Sequence, residues 1–356
     1  MSLEAILLAR IAAGGPITVA EYMAEALLHP TGGYYTTRDP LGPSGDFTTS
    51  PEISQMFGEL LGLALAQCWL DAGRPRGVLA ELGPGRGTLM ADATRAMRAV
   101  PGMLEALDLH LVEASPVLRD AQRTRLGHLA PTWHDTVDSL PEGPLFLLAN
   151  EFLDALPIRQ LVRAGEMWRE RMVTEVDGRL GFALAPPVPR PDLAHQDVPD
   201  GTLVEICPAL PGIVGAVGAR VGCGGAAIFV DYGHWRSRGD TLQALRAHRR
   251  VDPLDGPGTA DLTAHVDFEA VARAAGPARA SAMVPQGVLL DRLGIGSRAQ
   301  VLAKGLTGAA RETHVAAHRR LTHPAEMGDL FKAIALSPAE AAPPPGFDPL
   351  DPKAAT

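Results

Sequence analysis

Apolar residues at Leu3, Ile6, Leu7 and Ile11 recur at helical spacing, and Gly14, Gly15 and Pro16 end the helix they predict. Thr18 and Glu21 form a capping box for a second helix that stops before His29 and Pro30. A glycine-rich, aromatic loop follows, from Gly32-Gly33-Tyr34-Tyr35 to Gly45-Asp46-Phe47. The next helix is expected to open at Ser50-Pro51-Glu52, with Ser50 as cap, and to run through Ile53, Met56, Phe57, Leu60, Leu61, Ala64, Leu65 and Cys68. It is apolar on most sides, which predicts burial.

From Val78 the pattern changes to short apolar runs between helical stretches: VLAEL (78–82), LHLVE (109–113), PLFLLAN (144–150) and AAIFVDYG (226–233). Such runs predict βαβ units in a parallel sheet. From Arg159 to Pro186 the spacing becomes alternating, over Met167, Arg169, Arg171 and Val173, and Asp177-Gly178 suits a two-residue hairpin turn. An antiparallel insertion is expected there, then a helix near 208–220, polar loop-like sequence from Asp240 to Asp267, and a further helical region. The predicted organisation is an N-terminal helical cap (1–75), a doubly wound α/β core (76–158 and 221–336), an inserted antiparallel and helical region on the substrate side (159–220), and a tail (337–356) too poor in apolar residues to pack and expected to be disordered.

The chain has 356 residues and a net charge of −9, without a basic cluster interleaved with aromatics, which argues against nucleic acid as a partner. Only Lys304, Lys332 and Lys353 among the 32 basic residues are lysines, a compositional bias. Cys68, Cys207 and Cys223 lie far apart without CxxC spacing, which points to a reducing compartment rather than a disulfide framework. The longest uncharged stretches, such as Leu60 to Leu70, are too short to span a membrane. With an N-terminus that reads as an amphipathic helix rather than a signal peptide, a cytoplasmic protein is expected.

Strand VLAEL runs into Gly83-Pro84-Gly85-Arg86-Gly87-Thr88 at a helix start. Glycines let backbone approach a ligand, and the helix start offers free N–H groups and the positive end of the dipole. Thr88 stands where a dinucleotide fingerprint requires glycine or alanine, and Glu81 lies outside that fingerprint. Acid-x-Gly-x-Gly-x-Gly is instead the first motif of S-adenosylmethionine-dependent methyltransferases, so this reading is favoured over a nicotinamide-dependent oxidoreductase. Glu113 stands 26 residues after Gly87, where a carboxylate can hold both ribose hydroxyls. Asp135, in Trp133-His134-Asp135, is a candidate for the adenine amine; a surface acid beside a core tryptophan is the competing expectation. Asn150 and Glu151 end the fourth apolar run and belong beside the glycine loop, with Glu151 first and then Asp154 or Asn150 as candidates for orienting a nitrogen nucleophile. Asp261, His265 and Asp267 carry ligand-type side chains, but methyl transfer needs no metal and none is expected.

GGYY (32–35), GDFTTSPEISQMFGE (45–59), ELGPGRGTLM (81–90), LVEASPVLRDAQ (111–122), ANEFLDALP (149–157), DYG (231–233), DLTAHVDF (261–268) and MGDLFKAIA (327–335) together resemble the family of the mitochondrial complex I assembly methyltransferase and its bacterial relatives. The resemblance covers about 14–336. It implies a class I, Rossmann-like methyltransferase fold, S-adenosyl-L-methionine as methyl donor and, for the mitochondrial member, dimethylation of an arginine in a complex I subunit. It also places Asp46, Ser50 and Glu52 over the donor site, beside Glu81, Gly83, Gly85, Gly87, Glu113 and Asp135; capping of the buried helix is the competing role for Ser50 and Glu52. Leu153 departs from the second phenylalanine that many members carry. The expected protein is a protein-arginine methyltransferase; the alternative is an assembly chaperone that binds the donor without turnover.

Overall fold

The computed structural model describes residues 2–37 and 48–351, which divide into two compact units. One unit comprises Thr48–Leu153, Leu210–Trp235 and the chain from Val266 onward. Its sheet uses β1 (Gly77–Leu82), β2 (Leu107–Val112), β3 (Thr132–His134), β4 (Leu145–Asn150), β5 (Gly225–His234), β6 (Ala278–Ala280) and β7 (Phe331–Pro338), in the order β6-β7-β5-β4-β1-β2-β3. The five strands from β3 to β5 are parallel, and β7 and β6 run antiparallel at the other edge. Strand order reverses between β1 and β4, so the crevice beyond their carboxyl ends is where a doubly wound sheet takes its ligand.

Phe146 and Leu148 of β4 join one core cluster while Leu145 and Leu147 are buried as well, because a parallel sheet is covered on both faces. Helix α1 (Gln55–Asp71) packs on α2 (Thr88–Met97), the helix that leaves the glycine loop. The packing is close: a Cβ at Gly62 would meet Ala93 Cα at 2.7 Å. Burial of side chains such as Leu61 and Leu65 stabilises this contact by about 1.5–3 kcal/mol each. Glu59 of α1 ties the region further by pairing with Arg95 (3.0 Å) and Arg298 (2.8 Å).

The second unit comprises, among the described residues, 2–37, 154–209 and 236–265. Helices Leu3–Gly14 and Val19–Leu28 have the expected limits, and the Thr18 and Glu21 capping box is present. The antiparallel insertion is present too, with Met167–Val176 paired to Arg159–Ala164 and, through the Asp177-Gly178 turn, to Arg179–Leu184.

Five expectations change. Ser50 does not cap the buried helix: Ser50–Ile53 is a separate short helix, the chain extends at Ser54, and the Ser54 hydroxyl caps α1 by accepting from Met56 N. The polar stretch after Asp240 is not merely a loop, because Gln243–Arg246 pairs with both Arg249–Val251 and Asp261–Thr263. The N-terminal segment is not one cap, since residues 2–37 fall in one unit and Thr48 onward in the other, and helix Leu210–Gly222 belongs with the parallel sheet rather than with the insertion. Residues 337–351 are packed rather than disordered: Phe347 is 8% exposed in the main core, Ala282 N donates to Asp348 O (2.8 Å), and Arg292 pairs with Asp348 (2.9 Å). One aromatic anchor offsets the polar, proline-rich composition.

Candidate functional site

After β1 the backbone enters the left-handed region three times, at Gly83 (φ 61°), Gly85 (φ 54°) and Gly87 (φ 77°). Side chains oppose such a run and glycine permits it. A Cβ at Gly83 would stand 2.9 Å from Phe152 Cδ2, and one at Gly87 2.9 Å from Leu126 Cδ1, so neighbours fill the space the loop glycines leave. Thr88, the first residue of α2, donates its hydroxyl to Glu52, and Arg125 lies 3.9 Å from the same carboxylate. Glu52 is thereby fixed at the helix start just beyond the loop.

Glu81 and Glu113 stand at the carboxyl ends of β1 and β2. Glu81 is 2% exposed, and its burial pushes the carboxyl up to about 8 against a hydrogen bond from the Met90 amide, with Glu113 adding to the rise. Glu113 is pushed up to about 7 by burial, although Ser115 N (2.8 Å) and Gln122 Nε2 (3.1 Å) donate to it. Gln122, on α3 (Pro116–Leu126), also donates to Gly85 O (2.7 Å) and accepts from Trp133 Nε1 (2.8 Å). An indole N–H only donates, which fixes the orientation of the Gln122 amide. One side chain therefore joins the loop, the carboxylate and the tryptophan.

At the end of β4, Glu151 Oε1 accepts from Asn150 Nδ2 (2.9 Å) and Ser50 N (3.3 Å), with Glu151 in a left-handed backbone at φ 53°. Ser50 is fully buried and donates its hydroxyl to Gln286 Oε1 (3.0 Å). Among the described residues, Glu81 Oε2 and Asn150 Oδ1 are buried without a hydrogen-bond partner. Buried polar atoms are normally satisfied, so two such atoms at the ends of neighbouring strands fit a ligand carrying hydroxyl or ammonium groups.

The structure thus brings together Glu81, Gly83, Gly85, Gly87, Glu113, Ser50, Glu52, Asn150 and Glu151. Asp135 is less buried than these: its side chain is 87% exposed and pairs at 2.5 Å with Arg119, which also donates to Glu113 O at 2.7 Å. Asp154 belongs to the other unit, where its carbonyl accepts from Ala264 N (3.0 Å). Burial, and after it the Asp261 and Asp154 carboxylates, holds the Tyr35 phenol there well above its ordinary range, and Tyr35 donates to Asp261 at 2.7 Å. Asp267 caps the helix Phe268–Arg273, and His265 N donates to the Thr241 hydroxyl at 2.9 Å. Asp46 lies outside the described residues. Sequence reasoning missed Gln122, whose signal is a polar residue four positions from both Leu118 and Leu126 on an apolar stripe, and Gln286 and Asp231, buried polar groups with distant partners.

Residues 60–286 match a family model described as S-adenosyl-L-methionine-dependent methyltransferase. The chain is 39% identical to the protein arginine methyltransferase NDUFAF7, mitochondrial, of Xenopus tropicalis over 93% of this chain and 85% of that protein. It is 37% identical to the Homo sapiens protein of the same name, over 93% and 82%. A Burkholderia thailandensis protein solved with S-adenosyl-homocysteine bound superimposes with a TM-score of 0.81 at 34% identity, covering 94% of this chain and 91% of that one. The mitochondrial label of the curated relatives overturns the expectation of a cytoplasmic protein, which rested only on cysteine spacing and the N-terminal helix. With a matching doubly wound sheet, glycine loop and donor-ready buried acceptors, the chain belongs to the family of S-adenosyl-L-methionine-dependent methyltransferases.

Proposed function

We propose that this methyltransferase modifies an arginine nitrogen of a protein, with a respiratory complex I subunit as acceptor. The observation that carries the reading is the Glu151 carboxylate, held by Asn150 Nδ2 and Ser50 N at the end of β4 on the segment whose Phe152 fills the space beside Gly83. The name of the curated relatives, protein arginine methyltransferase, supports the acceptor class.

Bound S-adenosyl-L-methionine supplies a methyl group activated by a sulfonium. Glu113 holds the ribose hydroxyls, the backbone of Gly83, Gly85 and Gly87 admits the amino-acid end, and Glu81 and Asn150 offer their unfilled oxygens to its donors. Ser50 and Glu52 fix the wall at the helix start. A guanidinium stays charged in proteins, so a carboxylate facing it pairs with the cation, fixes its plane and orients one nitrogen. Glu151 takes that role. Catalysis then rests on positioning and electrostatic stabilisation.

The test uses the purified protein, donor with an isotopically labelled methyl, and respiratory complex I, with the label located by mass spectrometry. The expected label lies on arginine. Glu151→Gln should lower transfer tenfold or more while S-adenosylhomocysteine affinity stays within about threefold, the mark of an interaction made mainly in the transition state. Label on lysine alone overturns the acceptor, and transfer by Glu151→Gln at the unmodified rate overturns the role of Glu151.

A further inference from the structure

Glu151 is neither glycine nor asparagine, yet its backbone sits at φ 53°. A side chain there is strained, and such strain persists only where surrounding contacts over-determine the conformation. Two contacts do so, one on either side of the Glu151 Cα. Its own N–H donates to Val230 O at 2.9 Å. The next peptide is held by Asp231, whose Oδ2 accepts from Phe152 N at 3.2 Å and Leu153 N at 2.9 Å. The first contact restrains φ of Glu151 and the second its ψ, since the Phe152 N–H belongs to the peptide that carries the Glu151 carbonyl.

Asp231 is built for this task. It is 1% exposed, lies in β5 and directs its other oxygen to Tyr232 N at 2.9 Å. Three backbone amides thus converge on one buried carboxylate, the kind of charge-assisted bonding that makes an anchor rigid. β5 is the hydrogen-bonded neighbour of β4, with Val230 opposite Asn150, so the anchor lies one strand away from the segment it holds.

We propose that Asp231 is the positioning residue that keeps the Glu151 backbone left-handed and so aims the Glu151 carboxylate between Asn150 and Ser50. The inference rests on the role of Glu151 given above. It assigns to Asp231 no contact with donor or acceptor.

The test is a double-mutant cycle of Asp231→Asn and Glu151→Gln, with kcat measured on complex I and S-adenosylhomocysteine affinity by calorimetry. Asn keeps the shape but replaces one accepting oxygen by a donor. Asp231→Asn alone should lower kcat at least tenfold, leave S-adenosylhomocysteine affinity within threefold and speed hydrogen exchange of peptides spanning residues 150–154. In the Glu151→Gln background it should lower kcat less than twofold, because the carboxylate it aims is gone. An equal loss in both backgrounds, or a loss of donor-site affinity matching the loss of kcat, overturns the inference and makes Asp231 a general stabilising group. If Asp231→Asn does not fold, Asp231→Glu, which keeps the charge and shifts it by one methylene, is read through the same cycle. Full activity of Glu151→Gln alone refutes the role of Glu151 itself, a failure separate from additivity in the cycle.

Discussion

Glu113 gives the donor site a pH dependence that can be worked out in advance. Burial raises its carboxyl from 4.5 to about 7, so the group is about nine-tenths ionised at pH 8 and about one-tenth ionised at pH 6. Only the carboxylate accepts from both ribose hydroxyls, so affinity for S-adenosylhomocysteine should fall about tenfold from pH 8 to pH 6 through this group. Glu113→Gln removes the charge and keeps the shape. At pH 8 it should weaken binding by about 1.5–3 kcal/mol, the range for hydrogen bonds to a charged group. Glu81 also titrates, near 8, and feels the Glu113 charge, so both proteins are compared in a Glu81→Gln background, where the ratio of unmodified to variant dissociation constants should change about tenfold across the interval. Stability runs the other way. A carboxyl whose folded pKa lies above its unfolded value binds more protons when folded, so stability falls as pH rises from 4.5 to 7, by about 3 kcal/mol at 1.36 kcal/mol per unit. Without ligand, Glu113→Gln should therefore melt higher than the unmodified protein at pH 8 while binding more weakly. Calorimetry at pH 6, 7 and 8 and thermal melts at the same values decide it. A ratio that does not change with pH refutes the ribose contact.

Gln122→Leu continues the Leu118 and Leu126 stripe but removes the bonds to Gly85, Glu113 and Trp133, so S-adenosylhomocysteine affinity should fall by about 1–3 kcal/mol in calorimetry, and the melting temperature should fall too because buried partners are left unpaired. Phe347→Ala empties a position in the main core and should cost about 3–5 kcal/mol in denaturant unfolding, whereas a disordered tail would give no change.

The parallel sheet was readable because its strands are apolar runs closed by glycine or acidic residues, and the hairpin because Asp177-Gly178 carries the turn in two residues. The errors fall where one residue outweighs the composition around it. A single buried Phe347 docks a stretch of proline, alanine and aspartate. Ser54 rather than Ser50 starts the long helix, and both serines precede suitable helical sequence; only the extended backbone at Ser54 separates them. Helix Leu210–Gly222 was readable as a helix but not as part of the parallel sheet's unit, because its apolar face does not reveal which sheet it will cover.

At the site, residues adjacent in sequence to a strand end could be found, since chain direction alone carries them to the crevice: Glu81, Glu113, Asn150 and Glu151 all follow that rule. Asp135 follows it too but at a different depth, because β3 is short and at the sheet edge, where an acid past the strand end is exposed and pairs with Arg119. Groups that act through partners far along the chain leave a different signal. Gln122 reaches Gly85 across 37 positions and Asp231 reaches Leu153 across 78, and neither distance has a sequence spacing to mark it. What marks both is a polar side chain where the pattern demands an apolar one, inside the α3 stripe or at the end of the β5 run. Burying such a group without partners is costly. Its presence in an apolar position therefore implies fixed partners, and near a strand end those partners are the backbone of the site.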